Sequence, residues 1–269
     1  GPLEALITAS EETGMYGAFG LKPGVLQGDI LLNLDSETEG ELYVGCAGGL
    51  DLNVTLKYKE VSIPAGYVAQ KIDVKGLLGG HSGIEIILER GNANKIMARL
   101  LLKAQKEVGL RLAAIDGGGL RNAIPREAIA TVMVPEAQVE SLSKLVKTIA
   151  ETVSAELKEV DDNVTILLSD TAIPASVMDL DSQNRLLNAI QGCPNGVFRM
   201  SPSIKGLVQT STNLARVVSE NGTIRMQALL RSSVDSEKEY LAETMSSVFT
   251  LAGAEVTPSG GYSGWNPDM

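Results

Sequence analysis

The chain has 269 residues, enough for one large or two ordinary domains, and 44% of them are hydrophobic. Its formal net charge of -10 argues against nucleic-acid binding, which needs a basic footprint, and no apolar run reaches the roughly 18–20 residues of a membrane span. Two cysteines, Cys46 and Cys193, form no disulfide framework, and the first residues do not resemble a signal peptide, so we expect a cytoplasmic protein.

The first segment, up to about Gly49, holds three short apolar runs without alternation. They are LEALI, DILLNL and ELYVGCAGG. Such runs are typical of strands that are buried on both faces, as in the parallel sheet of an α/β domain. The sequence therefore predicts part of an α/β domain at this end of the chain.

Acidic residues follow two of these runs, at the point where each predicted strand ends. Glu11 and Glu12 stand side by side after LEALI, and Asp35 follows DILLNL. Adjacent carboxylates repel each other, and a metal ion would supply the compensating charge. One carboxylate would then bind the ion while its neighbour takes a proton from water. The alternative is that all three are solvated loop acids, because Asp and Glu are mostly exposed.

The histidine count limits how much of a metal site the chain can hold. A catalytic zinc normally takes three protein ligands, usually with histidine among them. The chain has one histidine, His81, which is distant in sequence from both acidic segments. The residues therefore offer part of a metal site, or none.

Beyond Gly49 the sequence predicts an α+β domain. Apolar and polar residues alternate from Leu50 to Tyr58 and from Ile224 to Leu230, which predicts strands with one face in water. Apolar stripes at three–four spacing predict helices between the strands. The last helix is predicted to open with a capping-box pair, Ser236 and Glu239. The predicted helices cover about 96–104, 142–157, 181–191 and 236–253 and would pack on one face of a mainly antiparallel sheet.

Five segments, in order and spacing, resemble those of a known enzyme family. They are LITASEETGMYGAFGL, ILLNLDSETEGELYVGCAGG, KGLLGGHSG, GGGLRNAIPREA and LLRSSVDS, and the resemblance continues to SGGYSGWNPDM at the end. The family is that of the cytosolic aminoacyl-histidine dipeptidases, which belong to the zinc-dependent M20 metallopeptidases and hydrolyse carnosine-like Xaa-His dipeptides. One such motif is a weak signal, but five in register over nearly the whole chain are specific.

The resemblance implies a fold and a domain organisation. It implies a catalytic α/β domain with a parallel-rich sheet and two zinc ions per subunit, interrupted by an α+β lid domain that forms a homodimer. Residues 1–48 would end the first catalytic segment, 49–256 would form the lid, and 257–269 would begin the second catalytic segment. Manganese or cobalt remain alternatives to zinc, since carboxylate and imidazole ligands accept all three.

The resemblance also implies roles for the acidic residues. By position, Glu11 corresponds to the general base, Glu12 to a zinc ligand and Asp35 to a ligand of the other zinc. Ser10 stands where the family usually has Asp. Further family ligands would precede residue 1 and follow residue 269, so we expect this chain to be an inactive fragment of the enzyme.

In the lid, the resemblance implies a substrate site. His81 corresponds to a histidine that reaches a neighbouring subunit's active site and helps to hold the substrate and the developing oxyanion, and Asn122 has a similar role. Arg231 corresponds to the arginine that binds the substrate's C-terminal carboxylate, for which a planar guanidinium is suited. The alternatives are an incidental loop histidine, a turn asparagine and a solvated arginine at the end of a strand.

Two other functions stay open at this point. The chain could be a dimerisation and substrate-gating module without activity of its own. It could also belong to an M20 aminopeptidase or amidohydrolase that takes a different substrate.

Overall fold

The computed structural model describes residues 2–9, 15–34, 39–41 and 43–267, and the chain divides into two units, Gly1–Val44 and Gly45–Met269. In the first unit the described residues form one short helix, α1 (Tyr16–Phe19), and no strand. LEALI and DILLNL therefore do not form the buried strands that their apolar runs predict, and Leu3 and Ile7 are 98% and 92% exposed. A strand is buried only where neighbouring elements cover it.

The second unit is built on a nine-stranded sheet in which every pair of neighbours is antiparallel. Its strands are β1 (Gly48–Lys57), β3 (Tyr67–Lys75), β5 (Arg111–Gly118), β7 (Ala128–Pro135), β8 (Thr165–Asp170), β10 (Gly196–Met200), β11 (Val208–Glu220), β12 (Thr223–Ser232) and β13 (Glu255–Tyr262). They follow the order β13-β1-β12-β11-β5-β7-β3-β8, and β10 pairs with β11. Two small sheets join β2 (Glu60–Val61) to β9 (Val177–Met178) and β4 (Gly80–His81) to β6 (Ala123–Ile124).

The two strands predicted from alternation are confirmed as β1 and β12, which pair with each other. In β1 the apolar positions Leu52, Val54 and Leu56 are buried and the polar positions between them are partly exposed. The tight turn between β11 and β12 consists of Asn221 and Gly222, both with positive φ. This is the turn chemistry that a two-residue hairpin requires.

Four longer helices confirm the helix predictions: α2 (Ala93–Val108), α3 (Val139–Glu156), α4 (Leu180–Gly192) and α5 (Asp235–Leu251). One apolar cluster contains buried residues of each helix and of the sheet, among them Leu52, Leu101, Leu142, Leu187 and Phe249. This cluster is the core of the predicted α+β arrangement. No helix among the described residues is long and apolar enough to cross a membrane.

The start of α5 differs from the prediction. The helix begins at Asp235 rather than at Ser236, and no side chain caps it. The Asp235 carboxylate instead accepts hydrogen bonds from Lys238 Nζ at 2.7 Å and from the Gly264 N–H at 3.1 Å. Lys238 Nζ also donates to the carbonyl oxygen of Tyr262 at 2.5 Å. The acidic side chain thus ties the first turn of α5 to the chain that follows β13.

This tie makes a pH-dependent contribution to stability. The hydrogen bonds from Lys238, Ser263 and Gly264 lower the pKa of Asp235 from its usual 3.8 to about 2. A lowered folded-state pKa stabilises the fold above the unfolded-state value, and the contribution is lost as the pH falls through about 2. We expect Asp235→Asn to lower the melting temperature near neutral pH, with a deficit that shrinks towards about pH 2.

Thermal unfolding followed by circular dichroism across this pH range checks the prediction. Glu239→Gln is the matched control, because Glu239 is an exposed acid of the same helix. A deficit for Asp235→Asn that stays constant down to acid pH would contradict the assignment.

Candidate active site

The acidic residues of the predicted site cannot be placed from the structure. Glu11, Glu12 and Asp35 all lie outside the described residues. Within the described ranges, no group of three or more histidine, cysteine, aspartate or glutamate side chains could hold a metal ion. The described part of the chain therefore does not by itself fit a metal centre, and the roles of the three acids stay predictions.

A two-stranded sheet brings His81 and Asn122 together. His81 in β4 pairs with Ala123 in β6, and the N–H of Ser82 donates to the carbonyl oxygen of Asn122 at 2.8 Å. Both His81 and Asn122 are half-buried. Gly79 precedes β4 and Gly80 is its first residue, with φ of +66° and +132°, which side-chain-bearing residues rarely adopt. The glycines of GGHSG therefore allow the backbone path that delivers His81 to this position.

Two backbone amides determine which nitrogen of the His81 ring carries the proton. The N–H groups of Gly83 and Ile84 donate to His81 Nδ1 at 3.3 and 3.1 Å. A nitrogen that accepts hydrogen bonds carries no proton, so in the neutral ring the proton is on Nε2. The imidazole is thereby held as a hydrogen-bond donor at Nε2.

An ion pair inside the same loop holds the backbone of His81. One Glu85 oxygen accepts from the His81 N–H at 2.7 Å, and the other accepts from Arg90 Nη1 at 2.8 Å. Arg90 also donates to the carbonyl oxygen of Gly79 at 2.6 Å. The hydrogen bond from His81 and then the contacts with Arg90 lower the pKa of Glu85. Glu85 therefore stays ionised under ordinary conditions and keeps both partners.

Arg231 lies against the same loop. A Cβ added at Gly83 would lie 3.0 Å from His81 Cε1 and 3.1 Å from Arg231 Nε, so the absent side chain lets both groups approach. Arg231 Nη1 donates to the Tyr262 hydroxyl at 3.3 Å. Its Nε is buried and has no hydrogen-bond partner among the described residues. The guanidinium thus retains donor capacity beside the His81 ring.

The segment that carries Asn122 is tied down on both sides. On one side Arg121 Nη1 donates to Asp51 Oδ2 at 2.6 Å. Burial raises the pKa of Asp51, and the positive charges of Arg121 and Arg231 oppose that rise. On the other side Asn213, which is fully buried, donates to the carbonyl oxygen of Ala123 at 2.8 Å. These contacts hold the segment on either side of Asn122 against β1 and β11.

The structure therefore brings together His81, Asn122 and Arg231, which are far apart in the sequence. The sequence patterns gave no signal for the residues that support them. Tyr262 stands in no motif or apolar stripe, yet its hydroxyl accepts a hydrogen bond from Arg231. Asp51 follows the alternation of β1 like any solvent-facing residue. The arrangement combines a guanidinium and an imidazole donor, which together suit a substrate with negative charge or developing negative charge.

Comparison with known proteins shows which proteins the chain is similar to. The model of the M20-type peptidase dimerisation domain matches residues 72–161. The cytosol non-specific dipeptidase of Escherichia coli (strain K12) is 44% identical over 268 residues, which is 100% of this chain and 55% of that protein. The matched range includes His81 and Asn122.

A solved structure extends the comparison to three dimensions. The crystal structure of aminoacylhistidine dipeptidase from Vibrio alginolyticus matches with a TM-score of 0.90 and 44% identity. The match covers 97% of this chain and 53% of that chain, so the present chain spans about half the length of these relatives. It confirms the predicted partial M20-type fold. Residues 72–161 therefore match the peptidase dimerisation domain of M20 type, and the chain as a whole is similar to about half of each of these two dipeptidases.

Proposed function

We propose that the chain is part of a metal-dependent dipeptidase that hydrolyses carnosine-like Xaa-His dipeptides. The observation that carries the proposal is the meeting of Arg231 and His81 at Gly83. A cationic fork and an imidazole N–H donor stand next to each other there, and a dipeptide offers a carboxylate and a scissile carbonyl at short separation. The names of the homologous dipeptidases support the same reaction class.

In this proposal Arg231 binds the C-terminal carboxylate of the substrate. Its guanidinium presents several N–H groups in one plane, which matches the two oxygens of a carboxylate. The contact with the Tyr262 hydroxyl orients the guanidinium. A free C-terminus is then a requirement for a good substrate, which disfavours peptides with a blocked C-terminus.

His81 and Asn122 hold the reacting carbonyl. The Nε2–H of His81 donates to the carbonyl oxygen as negative charge develops on it, and the Asn122 side chain assists. A preorganised donor is effective because it needs no reorientation during the reaction. Glu11 acts as the general base that takes a proton from the attacking water and returns it to the leaving amine.

Glu12 and Asp35 are the residues of this chain that we propose as metal ligands, with zinc as the ion and manganese or cobalt as alternatives. Together they are fewer than the three protein ligands that a catalytic zinc normally takes, so the remaining ligands would belong to parts of the protein outside this chain. When bound, such an ion lowers the pKa of a water molecule. The described residues give no geometry for this centre.

The matched dimerisation domain and the name of one relative support a proposal for quaternary state and location. We propose a homodimer formed through the dimerisation domain and a cytoplasmic location, as the name of the Escherichia coli relative suggests. The domain limits 1–48, 49–256 and 257–269 remain a proposal. A second candidate function is a dimerisation and substrate-gating module without activity of its own, which the domain match at residues 72–161 favours.

Substitution of Arg231 tests the substrate assignment. In the full-length protein we expect Arg231→Met to lower kcat/KM for an Xaa-His dipeptide by about 10- to 100-fold, because a hydrogen bond to a charged group contributes about 1.5–3 kcal/mol. The same dipeptide with a C-terminal carboxamide is expected to be a poor substrate for both proteins. The variant therefore loses the preference for the carboxylate.

Arg225→Met is the matched control, since Arg225 lies on the same strand in an exposed ion pair with Glu220. It should keep the wild-type preference. An Arg231→Met protein that still prefers the carboxylate as strongly as wild type would overturn the assignment.

A further inference from the structure

A single buried carboxylate holds both ends of the loop that carries His81. Asp161 Oδ1 accepts the N–H of Leu78 at 2.6 Å, and Oδ2 accepts the N–H of Gly91 at 2.7 Å. Asp161 is 0% exposed. We name the segment between these contacts, residues 78–91, the His81 loop. One side chain therefore accepts hydrogen bonds from both ends of the loop.

The surroundings of Asp161 make this contact specific. Asp161 lies in the turn between α3 and β8, and its own N–H donates to the carbonyl oxygen of Leu157 at 2.7 Å. A Cβ at Gly91 would lie 2.7 Å from the side chains of Leu157 and Leu77, so that end of the loop packs tightly against the turn. A carboxylate removed from water is costly unless hydrogen bonds compensate it, and here the loop ends provide them.

Hydrogen bonds and an ion pair within the His81 loop also hold it together. Glu85 bonds the backbone of His81 and is paired with Arg90, which reaches back to Gly79. The inner contacts hold the shape of the loop, whereas Asp161 ties the two ends of the loop to the turn between α3 and β8. The position of the His81 ring beside Arg231 depends on both.

We propose that Asp161 is a positioning residue for His81. It acts through the backbone of the loop ends and sets where the Nε2–H donor stands. The inference rests on the proposed function, in which that donor contacts the reacting carbonyl. Its removal misplaces a catalytic group, and small misplacements of such groups lower turnover by up to about 10²-fold.

The test is Asp161→Asn in the full-length protein, with kcat and KM measured for an Xaa-His dipeptide. The variant places an amide NH₂ against one of the two loop N–H groups, which releases one end of the loop. We expect kcat to fall about 10-fold or more while KM changes by less than about twofold. If Asp161→Asn does not fold, Asp161→Ser replaces it, because the smaller side chain does not place an NH₂ group against a buried N–H.

Asp179→Asn is the matched control. Asp179 also accepts two backbone N–H groups, from Ser182 and Lys59, each at 3.0 Å, but at the start of α4. Both variants should have a lower melting temperature than the wild type, but only Asp161→Asn should have a lower kcat. Equal losses of kcat in the two variants would overturn the inference.

A double-mutant cycle with His81→Ala separates this inference from the proposed function. If Asp161 acts through His81, Asp161→Asn causes no further loss of kcat in the His81→Ala background. An equal loss in both backgrounds overturns the inference, as does full activity of Asp161→Asn beside an inactive His81→Ala. Full activity of His81→Ala instead overturns the proposed function on which the inference rests.

Discussion

Replacing Glu11 by glutamine in the full-length protein is expected to lower kcat by about 10²- to 10⁴-fold, the usual contribution of a general base. Glutamine has nearly the same shape as glutamate but cannot take a proton from water. The expectation rests on the resemblance of TASEETG to the dipeptidase motif and on the neighbouring pair of acids. Steady-state hydrolysis of an Xaa-His dipeptide measures the loss, and elemental analysis after dialysis measures the bound metal.

The adjacent glutamate supplies the control for this experiment. Glu11→Gln should keep its metal, whereas Glu12→Gln should lose metal because it removes a proposed ligand. If the two variants show the opposite pattern, the roles of base and ligand are exchanged. Retained turnover in Glu11→Gln would remove the base assignment altogether.

The second large effect is expected at His81. His81→Ala in the full-length protein should lower kcat by about 10²- to 10³-fold, the typical effect of removing one donor to a developing oxyanion. The structural reason is the fixed tautomer: the amides of Gly83 and Ile84 occupy Nδ1 and leave the proton on Nε2. KM should change much less than kcat, because the donor acts mainly in the transition state.

Two further variants on the same loop test whether the loss of kcat is due to the His81 donor. Ile84→Ala is the control, because the Ile84 side chain is 80% exposed, and it should leave kcat near the wild-type value. His81→Gln should recover part of the activity, because its amide can donate a hydrogen bond. A His81→Ala protein that changes only KM would contradict the role in stabilising the oxyanion.

Local patterns in the sequence were sufficient for most elements of the second unit. The stripe from Ile96 to Ala104 became α2, and the alternation from Leu50 to Tyr58 became β1. Periodicity is reliable here because each element buries one face in a common core. The prediction from the capping-box pair was wrong at the start of α5. The helix begins at Asp235, which accepts hydrogen bonds from Lys238 and Gly264, and Ser236 does not cap it.

The first unit shows where local patterns are not sufficient. LEALI and DILLNL are as apolar as buried strands, yet the described residues of these runs form no strand and largely expose their side chains. An apolar run indicates that a segment tends to be buried. Whether it is buried depends on neighbouring elements that cover it, and the run itself does not specify these. The site motifs do not depend on burial in this way, since they are recognised by residue identity and spacing.

By itself, the sequence determined the family resemblance, the helices and alternating strands of the second unit, and the residue types of the candidate site. Only the tertiary structure decided that His81 and Arg231 meet at Gly83, that Nε2 of His81 is the donor, and that Asp161 closes the His81 loop. Periodicity and motifs report on neighbours along the chain. These contacts join residues far apart in sequence, so they depend on the strand order and on how the turn after α3 packs against the loop ends.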